Sequence, residues 1–300
     1  MYPSFVRTDL ACERRRADTN IKGIDYTENT DADNITESRL KISTQEGAES
    51  VGKPIGNYIT IAFRKEMLLS KSTSGRIMKK FADILSYVFS SLTGEKSIKN
   101  CSVLVVGLGN RNITSDAIGP AVADRVNATH HIKIQKPELF ESMQCACVGV
   151  CTPSVMSQSG FESSSLIYAA KELICPDAII AIDALSARSQ QRLMTTIQIS
   201  DSGICPGSGV GNHRAAIDKE SMGVPVISVG VPTVISSSAF IFDFINEMNG
   251  KKIPNEVKTL IEKSDSMFLT SDDCDIPIRR ISEIIGDGIN SLTNTLDFDS

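Results

Sequence analysis

The central part of the chain alternates short apolar runs with segments of helical periodicity. Residues 101–106 and 178–182 are nearly continuous aliphatic runs, typical of strands that are buried on both faces. Residues 224–230 predict a further strand, with Pro225 at its start, where no ladder donor is lost. Helices are predicted at about 116–126, 161–173 and 237–248. This alternation predicts an α/β fold with a mostly parallel sheet and helices on both faces.

The segments on either side of this centre carry weaker patterns. Residues 40–44 and 58–63 alternate apolar and polar positions and predict two strands. Residues 195–200 alternate in the same way, which predicts a strand with one face more exposed to solvent. Residues 77–92 have apolar positions at helical spacing and end near Gly94, a typical helix stop.

The two ends of the chain differ in their patterns. Residues 25–38 are rich in polar side chains and hold little that could enter a core, so they predict a loop or a partly disordered segment. A late helix is predicted at 276–292. The chain therefore starts with an N-terminal β/α extension and ends with a helical tail.

Composition and charge narrow the functional classes. The chain has 300 residues, of which 41% are hydrophobic and 22% charged, which is ordinary for a globular protein. Its net charge of -5 disfavours nucleic acid as a direct partner. No apolar stretch approaches the roughly 18 residues that span a bilayer, and no secretion signal is visible at the N-terminus. These features predict a cytoplasmic protein with no membrane partner.

Cysteine usage fits the same compartment. The eight cysteines are expected to be reduced thiols. Cys145, Cys147 and Cys151 lie close together, but the chain has no Cys-x-x-Cys pair. Buried or incidental thiols explain this cluster more simply than a metal site does.

Two aspartates follow predicted buried strands. Asp116 comes after the first strand and its glycine-containing loop, and Asp183 follows the second strand directly. In an open α/β sheet, ligands bind beyond the carboxyl ends of the strands, where two carboxylates could activate water. The alternatives are that Asp116 caps a helix and that Asp183 forms an ion pair with Arg188 or Arg192.

The loop that follows the first strand contains a Gly-x-Gly motif, formed by Gly107 and Gly109 and followed by Asn110. A dinucleotide fingerprint would require a third glycine where Asn112 stands. A tight turn that lets the backbone pass close to a substrate is the better interpretation.

A second glycine-rich loop has Gly207, Gly209 and Gly211 at alternate positions around Ser208. Its amides could hold a peptide backbone or an oxyanion. Ser208 lacks the flanking glycines of a nucleophile elbow. With only three histidines in the chain, a Ser-His-Asp triad is poorly supported.

Several long motifs, in order, resemble one known family. They are residues 105–120, 181–188, 195–203, 206–212 and 230–233. They are similar to the germination protease of spore-forming bacteria, the endopeptidase that degrades small acid-soluble spore proteins when a spore germinates. The resemblance covers about residues 6–245. It implies a hydrolase-like fold related to that of the hydrogenase maturation proteases.

The resemblance also implies roles for individual residues. Asp116 and Asp183 align with the essential aspartates, one as the base that activates water and the other as the acid that protonates the leaving amine. Two nearby carboxylates cannot both ionise freely, so such a dyad titrates as a pair. No metal or other cofactor is implied. The family assembles as a homotetramer, and its members act in the developing spore and the spore core.

The family is made as a zymogen that cuts its own N-terminus. The pattern around its processing site is Thr or Ser, an acidic residue, a large apolar residue, Ala, a variable residue and Glu, and residues 8–13 match it. The resemblance therefore implies cleavage between Asp9 and Leu10. It divides the chain into a propeptide (1–9), an N-terminal extension (10–98), a catalytic core (99–250) and a C-terminal tail (251–300).

Four departures from the family pattern are visible. Arg111 stands where the family has Trp, Cys205 where it has His, and His130 where it has Arg. The region after about residue 250 is shorter than is typical of the family. Two alternatives stay open. One is a nickel-sensing maturation endopeptidase of the same fold, and the other is a non-catalytic peptide-binding domain.

Overall fold

The computed structural model describes residues 8–14, 21–94, 96–207, 215–249, 256 and 267–294. Within these residues nine strands form one sheet, in the order β1-β2-β3-β7-β8-β6-β4-β5, with β9 paired to β8. The strands are β1 Ile24–Thr30, β2 Thr36–Ile42, β3 Gly56–Ala62, β4 Ser102–Gly107, β5 Cys147–Cys151, β6 Ala178–Ala187, β7 Thr196–Ser200, β8 Val226–Ser236 and β9 Phe268–Leu269.

Eleven helices are present in the described part of the chain. They are α1 Ala11–Arg14, α2 Gln45–Val51, α3 Lys71–Thr93, α4 Ile118–Ala123, α5 His130–Gln135, α6 Pro137–Met143, α7 Met156–Ser159, α8 Ser163–Ile174, α9 Lys219–Met222, α10 Ser237–Asn249 and α11 Asp275–Thr293. Short 3-10 turns occur as well, and two of them, Thr114–Asp116 and Gln190–Arg192, belong to the site described below.

The sheet has a parallel half and an antiparallel half. β5, β4, β6 and β8 pair in parallel, whereas β7 joins β8 antiparallel and β3, β2 and β1 continue in that sense. The predicted α/β class is confirmed, and the parallel strands make up one half of the sheet, which ends at β5. The N-terminal strands extend this same sheet, and the division of the chain into domains stays a prediction.

Helices cover both faces of the parallel half. Val103 and Val105 of β4 pack in a core cluster with residues of α3, α4 and α11. Leu104 and Val106, which point the other way, pack with Ile167 of α8. Successive residues of a strand face opposite sides, so the continuous aliphatic run of β4 is what a strand covered on both faces requires.

Most predicted elements are confirmed, with shifts of a few residues at their ends. α3 ends at Gly94, whose φ of 75° is a left-handed cap conformation that glycine adopts without strain. The late helix is α11, and its buried Ile281, Ile285 and Ile289 join the main core. Nine of the described elements were not predicted, namely α1, α2, α5, α6, α7, α9, β1, β5 and β9.

The prediction of a loop at residues 25–38 is wrong. These residues form most of the β1–β2 hairpin, which turns at residues 31–35, where Asp31 accepts hydrogen bonds from two backbone amides. The side chains of β1 are mostly exposed, so the strand shows no apolar pattern. The backbone ladder to β2 orders it regardless of its side chains.

The prediction that one face of β7 is more exposed to solvent is also wrong. All five of its residues are buried, including Thr196, Gln198 and Ser200. The N-terminal segment Thr8–Arg14 covers this polar face, and the amide of Ala11 donates to Gln198 Oε1 at 2.8 Å.

No helix in the described part of the chain is long and apolar enough to cross a membrane.

Candidate active site and its peptide groove

Asp183 lies within β6, and the strand does not end at residue 182 as predicted. Parallel pairing with β4 stops at the pair Gly107–Ile182, whereas pairing with β8 continues from Asp183–Gly230 to Ala187. Asp183 is therefore the first residue of β6 that extends beyond β4. Its side chain is buried, and Oδ1 accepts the amide hydrogen of Ala184 at 2.9 Å.

Asp116 lies at the end of the Thr114–Asp116 turn and does not cap the following helix. The residue before α4 is Ala117, and no side chain caps that helix. Asp116 Oδ2 instead accepts the amide hydrogen of Asn110 at 2.8 Å, which closes the loop after β4. Gly109 is required here, because its φ is 111° and a Cβ would lie 2.1 Å from the Asp116 carbonyl oxygen.

The loop that carries Asp116 is hydrogen-bonded to β6, the strand of Asp183, and to the neighbouring strand β8. Leu108 N donates to Ile182 O at 2.8 Å, and Thr233 of β8 donates its hydroxyl to Ser115 O at 2.6 Å. A Cβ at Gly107 would lie 2.3 Å from the Gly119 carbonyl oxygen. These contacts hold both aspartates near the carboxyl ends of the parallel strands. The glycines serve close approach within the chain, and their part in substrate binding stays a prediction.

The segment Thr8–Arg14 lies against β6 beyond Asp183, in what we call the peptide groove. Asp9 N donates to Ser186 O at 2.8 Å, and Ser186 N donates back to Asp9 Oδ2 at 2.9 Å. The carboxylate of Asp9 thus takes the place of a strand partner for β6. This segment contains the predicted processing site.

Two apolar side chains anchor the segment in the groove, and both are fully buried. Leu10 packs with Leu185, Ala187 and Leu193. Ala11 packs in a separate cluster that contains Leu40, Ile42 and Tyr58. The adjacent residues Leu10 and Ala11 therefore occupy different pockets, one on each side of the backbone.

Glu13 is the most completely bound charged residue of the segment, with a side chain only 2% exposed. Its carboxylate accepts the amide hydrogens of Arg188 at 2.7 Å and Ser189 at 3.1 Å. Arg192 Nε lies 3.6 Å from Glu13 Oε1, and the hydroxyl of Thr8 donates to Oε2. We call the two amides and Arg192 the Glu13 site.

A cavity of about 320 Å³ lies beside the segment and is lined by both Asp9 and Asp183. Lys53 lines it too, and burial lowers the pKa of its ammonium group although the nearby charge of Asp9 opposes this shift. Asp116 is not among the described residues that line the cavity. The cavity therefore joins only Asp183, of the two aspartates, to the segment.

The second glycine-rich loop enters this cavity at its first residues. Cys205 and Gly207 line the cavity, and burial raises the pKa of the Cys205 thiol. The predicted loop residues Ser208, Gly209 and Gly211 lie outside the described residues.

The remaining candidates have ordinary surroundings. Arg111 pairs with Asp124 at the surface, and His130 Nδ1 lies 3.4 Å from Cys147 Sγ. The cysteines of the described chain are free thiols, and no group of three or more possible ligands there could hold a metal ion.

Sequence reasoning missed the residues that hold the segment. Gln198, the amides of Arg188 and Ser189, and Arg192 all bind it, and none was predicted to do so. Arg192 was considered as an ion-pair partner of Asp183, whereas in the structure it lies against Glu13. Gln198, a long polar side chain between two isoleucines of β7, was the available signal.

The fold and the groove define an α/β protein whose own N-terminal segment lies beside a buried carboxylate. The family model described as germination protease matches residues 6–268. The germination protease of Clostridium perfringens strain ATCC 13124 is 34% identical over 95% of this chain and 94% of the relative. That of Caldanaerobacter subterraneus subsp. tengcongensis is 36% identical over 95% and 93%. The chain belongs to the germination protease family, and it is a peptidase.

Other similarities are more partial. The germination protease of Geobacillus sp. strain WCH70 is 40% identical, but the match covers 80% of this chain and 66% of that protein. A solved NiFe hydrogenase maturation protease, HycI from Thermococcus kodakarensis, is 18% identical with a TM-score of 0.35, over 69% of this chain and 99% of the other.

Proposed function

We propose that the protein is an endopeptidase made as a self-processing zymogen, which starts the degradation of small acid-soluble spore proteins at germination. It would act as a homotetramer in the cytoplasm of the developing spore and in the spore core. The observation that carries this proposal is the seating of Thr8–Arg14 in the peptide groove, where Asp9 and Asp183 line one cavity. This seating supports the proposal, because a segment with the family's processing pattern lines the same cavity as one of the two proposed catalytic aspartates.

The proposed chemistry uses Asp116 and Asp183 as one acid and one base. The ionised carboxylate takes a proton from water, and the resulting oxygen nucleophile attacks the carbonyl carbon of Asp9. The protonated carboxyl donates its proton to the nitrogen of Leu10 as the peptide bond breaks. The amide hydrogen bonds from Asn110 and Ala184 would hold the two carboxyl groups in fixed orientations.

Two substitutions test the dyad, with cleavage of a purified small acid-soluble spore protein as the readout. Asp116→Asn and Asp183→Asn should each reduce cleavage and self-processing by a factor of about 1,000 or more, since an amide cannot exchange protons in this way. The matched control is Asp287→Asn, an exposed carboxylate that pairs with Arg125 far from the groove in sequence and should leave cleavage unchanged.

The position of self-processing is tested by mass spectrometry of the matured chain, which should begin at Leu10. A start elsewhere contradicts the processing site. Cleavage retained in either purified dyad variant contradicts the mechanism. If the wild-type protein binds spore proteins without cutting them, the groove belongs to a non-catalytic binding domain.

A further inference from the structure

We infer that Gln198 is a further catalytic residue, whose side-chain amide donates a hydrogen bond to the oxyanion formed at the Asp9 carbonyl during cleavage of the Asp9–Leu10 bond. This inference rests on the proposed function, because it takes that bond as the one that is cut. It adds to the proposed aspartate pair, which moves protons, a group that stabilises negative charge on the carbonyl oxygen.

The side chain of Gln198 contacts the N-terminal segment on both sides of Leu10. Its Oε1 atom accepts the amide hydrogen of Ala11 at 2.8 Å, and its Nε2 atom donates to the carbonyl oxygen of Asp9 at 3.4 Å. The amide hydrogen of Ala11 requires an acceptor, so it fixes which end of the Gln198 carboxamide is the oxygen. The nitrogen end therefore faces the carbonyl of the bond that is proposed to be cut.

The register of the sheet places Gln198 level with Asp183. Gly230 of β8 is the direct partner of Asp183 on β6 and of Gln198 on β7. Directly paired residues present their side chains on the same face of a sheet. The Cα atoms of Asp183 and Gln198 are thus roughly 10 Å apart, the width of two strand spacings, and the residue between them has no side chain. Both side chains line the cavity that Asp9 also lines, so this cavity has a carboxyl group from one strand and a hydrogen-bond donor from another.

The proposed reaction creates a negative charge on the oxygen to which Gln198 donates. As the water oxygen bonds to the carbonyl carbon of Asp9, one electron pair of the C=O bond moves to the carbonyl oxygen, while the base takes the water proton. The Nε2 hydrogen of Gln198 stabilises this charge. When the intermediate collapses, the electron pair returns, the bond to the Leu10 nitrogen breaks, and the acid protonates that nitrogen. Gln198 neither gains nor loses a proton.

The length of the contact favours a role in the reaction over a role in docking. At 3.4 Å it exceeds the usual range of about 2.7–3.2 Å, so it contributes little to binding of the intact bond. An interaction accelerates a reaction only if it is stronger in the transition state than in the ground state. A charged oxygen accepts a hydrogen bond more strongly than a neutral carbonyl does, and the burial of Gln198 limits competition from water. We expect the Nε2 bond to shorten as the charge forms.

The test measures self-processing of the full chain, in which the segment is already docked. Gln198→Met removes the donor and keeps a side chain of similar length. Mass spectrometry gives the rate of processing, and hydrogen exchange of the Leu10 amide in an Asp183→Asn background gives the docked fraction. The rate per docked chain should fall by a factor of about 100 to 1,000, the usual loss on removal of one oxyanion donor.

Thr196→Val is the matched control on the same strand and the same face. Thr196 lies two residues before Gln198 and is fully buried, and its hydroxyl has no hydrogen-bond partner among the described residues. It is also absent from the described lining of the cavity. The rate of processing should stay unchanged in this variant, which shows that loss of a buried polar group on β7 is not enough to slow the reaction.

A second variant, Gln198→Glu, tests the donor through pH. The introduced carboxyl group can donate to the Asp9 carbonyl only when it is protonated. Its rate of processing relative to the wild type should therefore fall at least about tenfold as pH rises through the pKa of this carboxyl. The ratio removes the titration that both forms share from the other charged side chains of the cavity, which are Asp9, Arg14, Lys53, Asp183 and Asp218.

The possible outcomes separate this inference from the proposed function. If the wild type does not process itself between Asp9 and Leu10, the proposed function fails and the inference fails with it. If it does so and Gln198→Met slows processing only in proportion to the lost docked fraction, Gln198 is a positioning residue and the inference alone fails. If Gln198→Met does not fold, Gln198→Glu decides, and a ratio that does not change with pH overturns the inference.

Discussion

Two stretches near the start of the chain, β1 and the segment Thr8–Arg14, are both bound to the same sheet, but by different kinds of contact. β1 pairs with β2 along all seven of its residues, and most of its side chains are exposed. The segment Thr8–Arg14 makes only a few backbone bonds to the sheet, yet five of its seven residues are buried. β1 is held by its backbone, and the N-terminal segment by its side chains.

This difference determines how strongly the binding of each stretch depends on its amino-acid sequence. Backbone ladders use groups that every residue carries, so β1 accepts many sequences. Side-chain pockets favour residues of matching size and charge, and Leu10, Ala11 and Glu13 each lie in such surroundings. The proposed function, in which the segment is cut and a substrate then takes its place, needs the second kind of binding.

Leu10→Ala has the largest expected effect and tests whether side chains hold the N-terminal segment in place. Truncating this fully buried side chain should lower the free energy of undocking the segment by about 2–4 kcal/mol, through lost burial and a cavity. Hydrogen exchange of the Ala11 amide measures undocking, in an Asp183→Asn background that keeps the chain uncut. Thr27→Ala, on the exposed side of β1, is the matched control, with an expected change in unfolding free energy within about 0.5 kcal/mol. Similar costs for both would remove the contrast.

A smaller effect is expected for Gln198→Leu. The variant loses the hydrogen bond from the Ala11 amide and leaves that amide buried without its acceptor. The cost to docking should be about 1–3 kcal/mol. Exchange of the Leu10 amide, which donates to Thr8 Oγ1, reports it independently of the lost bond. A change below about 0.5 kcal/mol would show that Gln198 only fills space.

The smallest expected effect lies in the hairpin and depends on pH. Burial alone would raise the pKa of Glu37, but hydrogen bonds from Arg39 and Lys80 outweigh it and hold the pKa below its usual value. A lowered carboxyl pKa contributes stability above the unfolded value of about 4.3, and this contribution disappears as pH falls through the folded value. The contribution should be below about 1 kcal/mol, because both partners reach solvent.

Urea denaturation of wild type and Glu37→Gln at pH 6 and pH 3 checks this sign. The difference in unfolding free energy should be present at pH 6, shrink at pH 3 and weaken with added salt. Glu220→Gln, on the exposed surface of α9, serves as the control with no such pH dependence. A difference that grew toward pH 3 would contradict the expected linkage.

Sequence reasoning predicted the elements whose side chains carry a burial pattern. β4 and α3 were predicted because continuous or helically spaced apolar residues face a core on one or both sides. The β1 strand was missed because a backbone ladder leaves no apolar pattern in the sequence. β7 was predicted, but its polar face was expected to be exposed to solvent. The sequence of β7 itself does not show that a distant segment covers Gln198.

The sequence by itself determined the α/β class, the family, and the two aspartates and processing pattern that the family resemblance implies. These follow from local composition and from motifs that are contiguous along the chain. Only the tertiary structure decided that β6 continues past Asp183, that Asp116 closes its own loop, and that Thr8–Arg14 fills a groove beside Asp183. The reason is physical: Glu13 meets the amides of Arg188 and Ser189 across about 175 residues of chain, and only folding brings such groups together.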